Sequence, residues 1–245
     1  YTLYADFVVG YKEFEALFEQ LVDDHRPGLA ALAIDFVREF RHREAFSSLL
    51  GILLDGYYDG GVLLSRQNFE EAERLLVERE ERFATQLERM ALNQASGFDR
   101  DLAAQRYRIY HQLGFCYRSI GNWEKAIENY ELSLDLALEA VQAVEGAGPE
   151  AEEQTSALIR QIAETLNNLA NVHRLTGNFR ESHILCETSI LLRERWHPPG
   201  VAMSRYVMAM ILWEMGHTAG AVAHLRRAAD DCAPEDEVKL ARIEK

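Results

Sequence analysis

Leu113-Gly114-Phe115-Cys116-Tyr117, followed by Gly121-Asn122-Trp123-Glu124-Lys125-Ala126 and then Tyr130, is the stretch that decides the fold. The same order returns 56 residues later as Leu169-Ala170, His173, Gly177, Phe179, Ser182 and Cys186. A further 39 residues on it is Met208-Ala209, Leu212, Gly216, Thr218, Ala221 and Leu225. Small residues and glycines recur in register, and most large positions stay apolar. Gly114, Ala170 and Ala209 fit where paired helices touch and only a small side chain can enter. Gly121, Gly177 and Gly216 fall just past a helix end, where glycine best adopts a left-handed backbone. Ala126, Ser182 and Ala221 supply the second helix's small contact, and Trp123, Tyr130, Phe179 and Leu225 fill the space between successive hairpins.

A weaker copy lies 54 residues upstream, with Gly60, Leu63, Phe69, Ala72 and Leu76 at matching places. Asn68-Phe69-Glu70-Glu71-Ala72 echoes Asn122-Trp123-Glu124-Lys125-Ala126. Gln67 stands where the other copies have glycine, which predicts a poorer turn.

This arrangement resembles the tetratricopeptide repeat. The second copy is similar to one branch of that family: Thr165-Leu-Asn-Asn-Leu-Ala-Asn171, Gly177-Asn-Phe179, Leu185-Cys186, Leu191-Leu-Arg-Glu194 and the His197-Pro198 linker look like a kinesin light chain repeat. Similar repeats occur as sensor segments of large bacterial signalling ATPases. The resemblance implies an all-α, tetratricopeptide-like α-solenoid, a right-handed superhelix of helical hairpins. The steps of 54 and 56 residues exceed the family's usual length of about 34. The extra chain falls in 134–145 and 151–162, which predicts elongated helices meeting in a turn at 145–148. The expected division is an N-terminal helical segment over 1–52, the repeat array over 53–233 and a C-terminal helical tail over 234–245.

Outward from the repeats the pattern stays helical. Residues 2–24 carry Leu3, Phe7, Tyr11, Phe14, Leu17, Phe18 and Leu21 at spacings of three and four. A break is expected at His25-Arg26-Pro27-Gly28, since the residue before proline disfavours helix. Helices are expected over 29–41 and from Glu44 through Tyr57, with Gly56, Gly60 and Gly61 able to stop the latter. Asn68 is a plausible cap for a helix running to about Leu92. Later breaks are expected at 93–97, 119–122, 145–150, 176–178, 197–200 and 215–217.

The chain has 245 residues, 48% of them hydrophobic, 27% charged, and a formal charge of −14. Such an acidic balance disfavours nucleic acid and anionic membrane surfaces as ligands, because both demand a basic face. Cys116, Cys186 and Cys232 are odd in number and widely spaced, which gives neither a disulfide framework nor a zinc pattern; a reducing, cytoplasmic setting is expected. No apolar run reaches the roughly 20 residues needed to cross a bilayer. The chain opens on Tyr1 with no signal peptide visible, so a piece of a longer protein is expected.

In the family the ligand lies on the concave face lined by the first helices. That resemblance nominates Arg108, His111, Gln112, Phe115 and Arg118 in the first copy. In the second it nominates Glu164, Asn167, Asn168, Asn171 and Arg174, and in the third Met203, Tyr206, Met210 and Trp213. Asparagine amides can satisfy both donors and acceptors of an extended peptide backbone. Arg118 and Arg174, equivalent positions in successive copies, suggest an acidic or carboxylate-bearing ligand; the bland reading pairs them with local acids such as Glu164. Tyr206, Met210 and Trp213 suit an apolar anchor pocket, or else burial under the next helices.

No phosphate loop, Gly-x-Ser-x-Gly or His-Glu-x-x-His motif is present, so neither catalysis, cofactor nor metal is expected. His183, Glu187 and His173 lack the further ligand a metal needs. The leading expectation is a scaffold or sensor segment that binds a protein or peptide. The alternative is a structural module that self-associates, as a homo-oligomer, or packs within its own larger protein. A third reading, a small-ligand or catalytic site in the N-terminal helices, has only the cluster Asp55, Tyr57, Tyr58 and Asp59 behind it.

Overall fold

The computed structural model describes residues 2–24, 26–38, 48–91, 102–144 and 149–232, and among them every regular element is a helix. The chain divides into two compact units, Tyr1–Asn122 and Trp123–Lys245. The fold class is the all-α, tetratricopeptide-like one that the repeat pattern implies.

Unit 1 begins with α1 (Thr2–Asp23) and α2 (Pro27–Arg38). Pro27 does not lie in the break, as expected, but opens α2. The first helical position has no partner for an N–H, so proline costs nothing there. The next helix also differs from expectation. α3 (Ser48–Leu53) passes into a π-helical turn, Leu54–Tyr58, and on into α4 (Asp59–Ser65). The Asp59 N–H reaches back to the Leu54 carbonyl, five residues away. Gly56, Gly60 and Gly61 therefore sit inside helical structure rather than ending it. Each faces a close neighbour: an added Cβ would meet Arg79 at 2.8 Å, Leu76 at 2.7 Å and Gln112 at 3.1 Å respectively. Close approach, not a stop, is what these glycines supply.

α5 (Phe69–Ala91) and α6 (Arg106–Ser119) complete unit 1. Asn68 immediately precedes α5, and its side-chain amide donates to the Glu71 carboxylate at 2.6 Å, a side-chain contact across the first turn rather than a cap on a backbone N–H. The expected breaks at 93–97 and 145–148 lie outside the described residues.

Unit 2 contains α7 (Trp123–Val144), α8 (Pro149–Leu175), α9 (Phe179–Trp196), a 3-10 turn at Pro198–Gly200, α10 (Val201–Glu214) and α11 (Thr218–Asp230). α7 spans 22 residues and α8 spans 27, which accounts for the long repeat step. α8 packs on both α7 and α9, and α10 on both α9 and α11.

The small residues sit where the pattern required. Ala170, Ala126 and Ala72 are fully buried, and Ala209 and Ala221 nearly so. Ser182 stands at the small-contact position and donates from Oγ to the Ala170 carbonyl at 2.7 Å. Ser189 Oγ donates to the Ala163 carbonyl at 2.6 Å and lies 2.9 Å from Ser204 Oγ. Cys186 Sγ donates to the Ser204 carbonyl at 3.2 Å. These hydroxyls and the thiol each meet a backbone carbonyl or a neighbouring hydroxyl, which offsets the cost of placing them in a helix interface.

Candidate functional site

The turn of each copy repeats one backbone pattern. Gly121, Gly177 and Gly216 have φ of 79°, 79° and 81°. The following N–H bonds to a carbonyl five residues back: Asn122 to Tyr117, Asn178 to His173 and His217 to Leu212 at 2.9, 2.8 and 2.8 Å. Gln67, which the pattern marked as a poor substitute, makes the same turn. Its φ is 60° and Asn68 N–H reaches the Leu63 carbonyl at 2.9 Å. The weak copy is therefore a real fourth turn of the same kind, ending its helix in the same way.

In unit 2 the candidate ligand residues divide by what holds them. Arg174 is buried: its Nε donates to Asn171 Oδ1 at 3.0 Å, and Nη1 ion-pairs with Glu214 at the end of α10. The bland reading of Arg174 is thus the one observed, with Glu214 rather than Glu164 as the acid. Asn167 is buried, and its Oδ1 has no hydrogen-bond partner among the described residues. Asn168 and Asn171 are half-buried and Glu164 is exposed. Positions 164, 167, 168, 171 and 174 share one face of α8 by their spacing of three and four. On α10, Tyr206 and Met210 are half-buried, while Trp213 is 62% exposed. Burial under following helices therefore does not account for Trp213. The Arg174–Glu214 pair ties the ends of α8 and α10 together.

In unit 1 two of the candidates, Arg108 and Gln112, lie against other elements. Arg108 ion-pairs with Glu15 and, at 3.5 Å, with Glu19, both on α1. Its guanidinium lies 5.3 Å from the centre of the Tyr57 ring and 5.9 Å from that of Tyr107. Burial works against its charge, yet Tyr107, Glu15, Tyr57 and Tyr58 hold its pKa well above the usual arginine value. Gln112 is buried with its amide against Gly60 and Gly61. His111 is half-buried, and Arg118 stacks over Phe115 at 4.8 Å. The repeat pattern had no means of marking α1 as the cover of this face. Its only outward sign was the Asp55, Tyr57, Tyr58, Asp59 cluster. Tyr58 now proves to be fully buried, with its hydroxyl 2.7 Å from that of Tyr11 and its pKa pushed well up by burial.

Residues 161–231 match a family model of the tetratricopeptide repeat, and residues 107–139 match a second such model. Residues 107–139 and 161–231 carry tetratricopeptide repeats. These repeats generally mediate protein–protein interaction. Among solved structures, the chain is similar to the nearly identical TPR-like repeats described as a kinesin light chain from Podosopora anserina. The identity is 14%, the TM-score 0.53, and 90% of this chain and 93% of that one are covered. That likeness concerns the fold. BtubC (BKLC) from P. vanneervenii also aligns, at 16% identity and TM-score 0.39 over 87% of this chain and 90% of that one. So does the TPR2AB domain of yeast Sti1 in its pHSP90 complex, at 15% identity and TM-score 0.32 over 96% of this chain and 98% of that one. No curated protein matches the chain.

Among the described residues no group of three His, Cys, Asp or Glu side chains could hold a metal ion, and His183 lies 4.0 Å from Glu187. No described helix is long and apolar enough to cross a membrane.

Proposed function

We propose that the chain is a protein- or peptide-binding repeat segment whose ligand lies along α8 and α10 of unit 2. The observation that carries this reading is Trp213. It is a large aromatic left 62% exposed, on the same helix as half-buried Tyr206 and Met210 and next to Glu214, which pairs with Arg174 of α8. A rigid aromatic anchor flanked by amides is a surface that gains by desolvation and still pairs a peptide backbone. Carboxylate recognition, if the ligand is acidic, runs through Arg174. Glu214 already holds that guanidinium, so a ligand carboxylate competes with it rather than filling an empty site.

The wider setting we propose is a larger cytoplasmic regulatory protein in which the array senses or scaffolds. The free, buried thiols of Cys116 and Cys186 suit a reducing compartment. A peptide library displayed against the full chain, followed by calorimetry on a selected peptide, tests the binding site. Trp213→Ala is expected to weaken binding about tenfold or more, and Asn171→Ala by about fivefold, with the far-UV dichroism unchanged. Unchanged affinity in both variants removes the α8–α10 surface as the ligand site.

One observation favours a second reading, self-association. On α2, Leu29, Leu32 and Phe36 recur at helical spacing and are all exposed, the last two by 64% and 62%. Sedimentation of the chain against its Phe36→Asp variant decides it: a monomer at tens of micromolar excludes that interface.

A further inference from the structure

We draw no further inference here: the strongest candidate, the buried guanidinium of Arg193 at the end of α9, which donates to the Gly200 carbonyl just before α10 at 2.6 Å, restates an established ligand-reading position of this repeat family.

Discussion

The guanidinium of Arg174 at the end of α8 is ion-paired with Glu214 at the end of α10, 40 residues away in sequence. This pair joins two successive first helices of unit 2 and neutralises the guanidinium proposed above to meet a ligand carboxylate. Glu214→Gln is expected to leave Arg174 bonded to Asn171 but short of a carboxylate. Peptides ending in a carboxylate should then bind about five- to tenfold tighter than to the unsubstituted chain, while their amidated forms should not gain. The cost to stability is expected at about 1 kcal/mol, since the pair is only partly sheltered. Paired calorimetry and denaturant melts separate the two effects.

Gln67 and Gly177 make the same turn with opposite residue chemistry. A left-handed backbone costs a residue bearing Cβ about 1–2 kcal/mol. Gln67→Gly is expected to stabilise unit 1 by about 1 kcal/mol, offset in part by glycine's freedom in the unfolded chain. Nothing lies within 4 Å of a Cβ placed on Gly177, so Gly177→Ala isolates the backbone term. It should destabilise unit 2 by about 1 kcal/mol. Urea melts of both variants check the pair; two shifts of the same sign would contradict it.

Burial pushes the Cys186 thiol up to about 12 and that of Cys116 up to about 11. Thiolate is the reactive form, so at pH 8 a maleimide is expected to label Cys232, which is half-buried, well ahead of the other two. The linkage has a definite sign. A pKa raised in the folded state gives stability that is whole below the unfolded value near 9 and lost as pH rises towards the folded one. Stability should therefore fall between about pH 9 and 12, and Cys186→Ser, which keeps a donor to Ser204, should flatten part of that fall. Denaturant midpoints across that pH range supply the measurement.

Arg38 holds the π-helical turn from outside. Its Nε and Nη2 donate to Asp55 at 3.1 and 2.8 Å, and Nη2 also reaches Asp59 and the Leu54 carbonyl. Burial raises the Asp59 pKa and Arg38 opposes that rise. Arg38→Ala is expected to destabilise unit 1 by about 2 kcal/mol, because it strips partners from two half-buried carboxylates. Hydrogen exchange at Leu54–Tyr58 should quicken first. Exchange that stays unchanged there would mean the turn is held by its other neighbours, α5 among them.

Much of the fold was legible because its determinants are local. Gly121, Gly177 and Gly216 mark helix ends by a backbone angle that residue type controls, and Ala126, Ser182 and Ala221 mark contacts by size. Their spacing announced the repeat and the length of α7 and α8. The exceptions are instructive. Pro27 was read as a breaker and proved a helix start, while Gln67 adopts the glycine conformation because the helices on either side of it require the turn.

The candidate site was legible only in part. Position in the repeat assigned Asn171, Arg174, Tyr206 and Trp213 to one surface, because register alone sets which face of a helix a residue occupies. Which of them is open depends on side chains arriving from elsewhere. Glu214 closes Arg174 from 40 residues away, and Glu15 meets Arg108 from 93. The sequence by itself thus determined the helices, their turns and the faces they present, since those follow from backbone geometry and hydrophobic period within a few residues. Only the tertiary structure decided that α1 lies over Arg108 while Trp213 stands in water, because such pairings depend on how distant helices pack.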